Sequence, residues 1–202
     1  MEDICVYTDG SCSNNGYSNA NAGIGIYFGE NDPRNLSRKI EGKQTNNTAE
    51  LKAIIVTYGI LEKEINEGKN ILICSDSQYA IRCCTTYGEK CAKSGWKKKI
   101  PNLKLVKEAY SLFSKKNNIK FKKVLAHTNG TDKDSVGNDW ADKLANSSIA
   151  GIPCLRRYLN VPYHRKEQIK ALSGRWDPDK KSWYVSEKIF NEKCKQIQQI
   201  IQ

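Results

Sequence analysis

The 202-residue sequence has only two histidines, His127 and His164, and a single methionine, and its eight cysteines include no C-x-x-C pair. A structural zinc site, built from closely spaced Cys and His ligands, is therefore not expected. Cys83 and Cys84 are adjacent and no regular cysteine spacing recurs, which argues against a disulfide framework. Reduced thiols in an intracellular compartment, cytoplasm or nucleus, are the expectation. No secretion signal is recognised at the start. No run approaches the ~20 apolar residues that a spanning helix needs, so a soluble protein without membrane association is expected. The length suits one substantial α/β core with a small appendage, and two equal cores would be tight.

Lysine is abundant and unevenly placed. Residues 90–123 hold twelve lysines against the single acid Glu108, and residues 149–202 hold eleven Lys and Arg against five acids. The formal net charge is +11, so the remainder of the chain is acidic. Basic blocks beside an acidic remainder fit an enzyme that binds a polyanion with lysines and a cation with carboxylates. A solvated lysine-rich surface is the plainer alternative.

The apolar pattern begins with period two. "ICVYTDGS" (4–11), "NAGIGIYFGE" (21–30) and "NLSRKIEG" (35–42) read as three strands of an antiparallel meander, with "NDPR" as a turn. From Thr48, apolar residues at Leu51, Ile54, Ile55, Tyr58, Leu61 and Ile65 mark one helical stripe ending near Gly68. "NILICSDS" (70–77) reads as a strand buried on both faces. Leu103, Val106, Ala109, Tyr110 and Phe113 predict a further helix, 119–127 a last strand, and 136–147 a closing helix. The fold class is α/β, an α+β layer arrangement. Residues 149–157 read as a linker. Beyond it, a strand, a helix stopped by Gly174, a hairpin across "RWDPDKKSWYV", and a final helix capped by Ser186 are expected.

Four acids stand at informative places: Asp9 in "TDGS", Glu50 in "TNNTAEL", Asp76 in "CSDS", and either Asp139 or Asp142 in "GNDWADKLANSS". Singly, each has an ordinary structural reading. Asp9 could brace a turn, Glu50 could complement a helix N-terminus, and Asp76 could cap the next helix. Three residues of spacing leaves Asp139 and Asp142 near one helix face, so spacing does not choose between them.

Taken together, "YTDGS", "QTNNTAEL", "SDSQYAI", "AHTNGT" and "GNDWADKLA", in this order, resemble ribonuclease H of type 1 over residues 1–148. The resemblance implies a mixed five-stranded sheet flanked by helices. It implies an endonuclease that cuts the RNA strand of RNA/DNA hybrids with two Mg²⁺ ions, Mn²⁺ being a substitute, and leaves 5′-phosphate and 3′-hydroxyl ends. Asp142 rather than Asp139 then becomes the fourth metal ligand beside Asp9, Glu50 and Asp76, and Asp139 serves the helix dipole. His127 becomes a mobile assistant to proton transfer or product departure. The alternatives are a nuclease of the same superfamily with another substrate, such as double-stranded RNA, and a hybrid-binding protein without chemistry.

The same resemblance aligns Asn15, Asn46 and Asn47 with residues facing the RNA minor groove, where an amide can pair with a 2′-hydroxyl. It aligns Lys43, Thr45 and Asn102 with a pocket for a DNA phosphate. Lys43 stands where many members have arginine, which removes a bidentate grip. Residues 87–102, with Trp96, Lys97, Lys98 and Lys99, resemble a basic protrusion that tracks the DNA strand. No protein partner is implied, and a monomer is expected. Residues 158–202, with "LNVPY", "GRWD" and "KSWYV", resemble a small module found at the ends of proteins that handle nucleic acids, and their basic balance favours a nucleic-acid contact.

Overall fold

A computed structural model describes residues 4–97, 99–126, 130–150, 156–178, 180–186, 189–190 and 193–201. The chain forms two compact units, Met1–Ala150 and Gly151–Gln202.

In the first unit, strands β1 (Ile4–Ser13), β2 (Asn21–Tyr27), β3 (Leu36–Lys39), β4 (Ile71–Ser75) and β5 (Ile119–Lys123) form one sheet in the order β3-β2-β1-β4-β5. β1, β2 and β3 pair antiparallel, and β4 and β5 add in parallel to β1. The antiparallel half is the expected meander. The parallel half requires crossovers, supplied by helices α1 (Asn46–Ile60), α2 (Glu62–Asn66), α3 (Gln78–Cys84), α4 (Thr86–Lys93) and α5 (Leu103–Phe113). Helix α6 (Lys133–Ala150) closes the unit.

Both faces of the central strand are covered. Val6 packs with Ile24, Ile54, Ile73 and Val106 in the main core, while its neighbour Tyr7 joins Cys74, Val124 and Ala141 on the other face. This is why β1 and β4 read as continuous apolar runs. Each fully buried Ile or Leu here contributes about 1.5–3 kcal/mol.

Two glycines set how closely the helices approach. A Cβ on Gly10 would stand 2.1 Å from the Glu50 backbone nitrogen, so α1 lies directly on β1. One on Gly25 would stand 2.0 Å from the Ala141 oxygen, so α6 lies directly on β2.

Several expectations need correction. The single stripe from Thr48 to Ile65 is two helices, divided at Leu61, whose N–H reaches back to both Thr57 and Tyr58. β1 runs on to Ser13, so Asp9 lies inside a strand and braces no turn.

The second unit is built on a three-stranded antiparallel sheet, β6 (Arg156–Leu159), β7 (Arg175–Asp177) and β8 (Ser182–Ser186), in the order β6-β8-β7. Helices α7 (Lys166–Ala171) and α8 (Cys194–Ile201) supply Ile169, Ile197 and Ile200, which pack on Leu159 and Val185. α7 ends through Ser173, whose φ is 64°, and not through a left-handed Gly174. Gly174 is needed for approach, because a Cβ there would meet the Ile169 carbonyl at 2.6 Å. Ser186 is the last residue of β8, and its expected capping of the final helix falls on residues 187–188, which lie outside the described residues. Among the described residues no helix is long and apolar enough to cross a membrane.

Candidate active site

The parallel register pairs Thr8 with Ser75, the last pair before Asp9 and Asp76. Both acids therefore emerge side by side at the carboxyl edge of the parallel pair. Glu50 joins them because α1 touches β1 at Gly10, the residue next to Asp9. One carboxylate oxygen from each of Asp9, Glu50 and Asp76 lies within 4.8 Å of the others.

Glu50 is not a helix-start acid. Thr45 is the N-cap of α1, closing a reciprocal capping box with Thr48, and the first turn holds no acid. Glu50 lies one turn further in and turns toward the sheet edge. Asp76 does not cap α3 either; the Ser77 hydroxyl does, accepting from the Ala80 N–H.

From α6, Asp142 interacts with Asp9 and raises its pKa, although neither Asp142 nor Asp139 belongs to the group formed by Asp9, Glu50 and Asp76. Because α6 starts at Lys133, Asp139 lies well inside it and has no helix N-terminus to serve. Asn138 and Asn146, each four residues from Asp142, share its face. Asn138 donates to Asp76 Oδ2 at 3.2 Å, and Asn146 donates to Asp142 Oδ1 at 2.7 Å. The Ser11 hydroxyl donates to Asn146 Oδ1 at 2.5 Å. Neither asparagine stands out in the sequence, although the N-x-x-x-D-x-x-x-N spacing is the one visible trace of this polar face.

Such a cluster resists full ionisation. Burial first, then Asp76 and Asp142, push the Asp9 carboxyl up to about 7. Burial, then Asp9 and Asp76, raise Glu50 well above the usual carboxylate range. A hydrogen bond with the Gly10 backbone pulls both the other way. Glu50 Oε2 and Asn138 Oδ1 are buried without a hydrogen-bond partner. Clustered acids with orphaned oxygen acceptors are a donor set for a hard divalent cation, which takes oxygen ligands and offsets the mutual repulsion.

Lys43, Thr45 and Asn102 are also brought together. Lys43 Nζ donates to Asn102 Oδ1 at 3.2 Å, Asn102 Nδ2 donates to the Tyr79 hydroxyl at 3.2 Å, and the Thr48 hydroxyl inside the Thr45 capping box reaches the Lys43 carbonyl at 2.7 Å. Asn102 is left-handed, with φ 55°, and its side chain caps nothing, which leaves its amide for these contacts. Asn15 Oδ1 accepts from the Asn46 N–H at 3.3 Å, and Asn15, Asn46 and Asn47 are exposed. Trp96 packs edge-on to Tyr110 under Lys107. Lys97 and Lys99 are exposed, whereas Lys98 and His127 lie outside the described residues.

The family model for RNase H matches residues 1–150, and that for a domain of unknown function, DUF5710, matches residues 156–198. A ribonuclease H of Schizosaccharomyces pombe is 41% identical over 145 residues, covering 69% of this chain and 50% of that protein. A ribonuclease H of Clostridium botulinum is 30% identical over 154 residues, covering 74% of this chain and 97% of that protein. The crystal structure of LC9-RNase H1, a type 1 RNase H with the type 2 active-site motif, superposes with a TM-score of 0.54 at 25% identity, over 74% of this chain and 72% of that one. The chain spans about half the length of the eukaryotic relatives it matches. The chain belongs to the RNase H family.

Proposed function

We propose that this RNase H family member, of type 1, cuts the RNA strand of RNA/DNA hybrids endonucleolytically with two divalent ions, leaving 5′-phosphate and 3′-hydroxyl ends. The observation that carries the reading is the convergence of Asp9, Glu50 and Asp76 within 4.8 Å, with Asp142 against Asp9. Mg²⁺, with Mn²⁺ as a substitute, would supply Lewis acidity and a water made nucleophilic at neutral pH.

Asp9, central in the cluster, would be the ligand shared between the ions. Glu50 and Asp76 would complete one ion's set and Asp142 the other's. Asn138 holds the Asp76 carboxylate by its Oδ2 and leaves Oδ1 to a ligand. His127 would accept or release a proton as the product leaves.

Substrate choice would rest on two strips. Asn15, Asn46 and Asn47 offer amides to the 2′-hydroxyl, the group that separates RNA from DNA. Lys43, Thr45 and Asn102 would hold a phosphate of the DNA strand, and Lys97, Lys98 and Lys99 would track that strand by charge. In this reading residues 1–148 carry catalysis, 149–157 link, and 158–202 form a small basic module, in a monomer that needs no protein partner.

An end-labelled hybrid incubated with Mg²⁺, with EDTA, and with the Asp9→Asn variant tests this. RNA fragments with 3′-hydroxyl ends in the first case only are expected. Binding without cleavage would instead make the chain a hybrid-binding protein, and cutting of double-stranded RNA but not of hybrids would change the substrate.

A further inference from the structure

The second unit exposes large aromatic rings that its own core does not need. Tyr163 is 79% exposed and Trp176 49% exposed, in a unit whose core is otherwise closed by Leu159, Ile169, Val185, Ile197 and Ile200. Exposed rings of this size in so small a unit carry information that scattered exposed aliphatics do not.

These rings are joined by ammonium groups into one strip. Lys166 Nζ lies 4.2 Å from the Tyr163 ring centroid and donates to its hydroxyl at 2.9 Å. Lys170 lies one turn further along α7, on the same face as Lys166. Its Nζ stands 5.9 Å from the Trp183 centroid. Trp183 meets Trp176 edge to face at 5.6 Å, as their cross-strand pairing requires. Lys170 also pairs with Glu167 at 2.8 Å, but an exposed pair of this kind is worth little and yields to a phosphate.

We infer that Tyr163, Lys166, Lys170, Trp183 and Trp176 form a docking strip for unpaired nucleotides, separate from the hydrolytic cluster and independent of its chemistry. Alternating rings and cations fit single-stranded nucleic acid, because each base offers a face for stacking and each phosphate a charge for a lysine. The unit's excess of eleven Lys and Arg over five acids gives the sign of the partner. A fully paired duplex fits poorly, since its base faces are already occupied. Single-stranded RNA or DNA flanking a hybrid supplies free faces. None of these five side chains carries an amide or a carboxylate with which to read a sugar hydroxyl, so both kinds of tail are expected to bind alike.

The test uses the full chain carrying Asp9→Asn and compares affinity for a blunt hybrid with that for the same hybrid bearing a tail of about twelve unpaired nucleotides. The tail is expected to tighten binding about tenfold. Trp176→Ala combined with Tyr163→Ala should abolish that gain and leave the blunt hybrid's affinity unchanged, while Trp176→Phe retains most of it. Tyr163→Ala alone, on a side chain too exposed to support folding, should remove about threefold and guards against unfolding by the double variant. A tail of abasic sugar phosphates should give little gain. No advantage for the tail, an equal advantage from the abasic tail, or an advantage that survives both alanines would overturn the inference. Cleavage of the blunt hybrid by the unmodified chain is scored separately, so failure of hydrolysis with an intact tail preference counts against the nuclease reading alone.

Discussion

Asn146 donates its side-chain N–H to Asp142 Oδ1 at 2.7 Å, and its own Oδ1 is held by the Ser11 hydroxyl at 2.5 Å. β1 thus orients an acid of α6 through a third side chain. A carboxylate fixed in this way presents its second oxygen without an entropic search, and outer hydrogen bonds of this kind tune metal affinity. Asn146→Ala should raise the Mg²⁺ concentration for half-maximal hybrid cleavage about tenfold while leaving the rate at saturating Mg²⁺ within about threefold. A Mg²⁺ titration of initial rates measures this, and an unchanged midpoint would remove Asn146 from any role in positioning.

The crowded acids also make the metal-free protein pH-sensitive. Asp9 in the folded chain sits at about 7, above its ordinary 3.8, and Glu50 is raised in the same direction. A raised carboxyl binds its proton more tightly folded than unfolded. Its contribution to stability is fully present below the unfolded value and is lost as pH rises through about 7. In EDTA the melting temperature should therefore fall from pH 5 to pH 8, and Mg²⁺ should restore more at pH 8 than at pH 5. Asp9→Asn should stabilise the metal-free protein at pH 8 by about 1–3 kcal/mol, and it should abolish cleavage. Thermal melts across that range with and without Mg²⁺ decide the matter. A rise in melting temperature towards pH 8 without metal would contradict it.

Gly137 illustrates how a packing contact sets the site. A Cβ there would lie 2.3 Å from the Tyr7 ring, whose hydroxyl donates to Asp134 at 3.1 Å near the start of α6. The helix that carries Asn138 and Asp142 is thereby seated on β1. Gly137→Ala must displace either the ring or the helix, at a cost of about 1–3 kcal/mol. Denaturant unfolding should show that loss, and hybrid cleavage should fall at a fixed Mg²⁺ concentration. Tyr7→Phe, which keeps the ring, should cost no more than about 1.5 kcal/mol.

β1 and β4 were legible because their two-sided burial leaves continuous apolar runs, as in Ile71–Ser75. α5 was legible because Val106, Ala109 and Phe113 keep one stripe inside. Helix boundaries were less so. Leu61 continues the apolar stripe of α1, yet its backbone ends that helix, and periodicity cannot register a shift of hydrogen bonding at one residue. In the site, Asp9 and Asp76 could be read as acids near strand ends. Their proximity depends on the parallel register of β1 on β4, which no local pattern encodes. The role of Asn138 was hidden for the same reason, since its partner Asp76 lies 62 residues away, whereas Asn146 and its partner Asp142 are one helix turn apart and leave only their spacing as a trace.

The lysines of residues 97–99 test charge separately from chemistry. Lys97 and Lys99 are exposed on the segment between α4 and α5, and this segment is held by Ile100, which is buried, and by Trp96 against Tyr110. Cations on a backbone pinned at both sides can meet phosphates without having to order themselves first. Each phosphate neutralised releases a counterion, so replacing all three lysines by alanine should reduce the slope of log affinity against log salt by roughly 2 to 3. Binding should weaken equally for hybrids of any sequence, because a phosphate contact carries no base information. Affinities of the Asp9→Asn protein for two unrelated hybrids over a range of KCl concentrations provide the measurement. If the slope is unchanged, these lysines face solvent and the electrostatic grip lies elsewhere in the chain. If the slope falls for one hybrid only, the segment reads bases, and its role in tracking the DNA strand by charge is wrong.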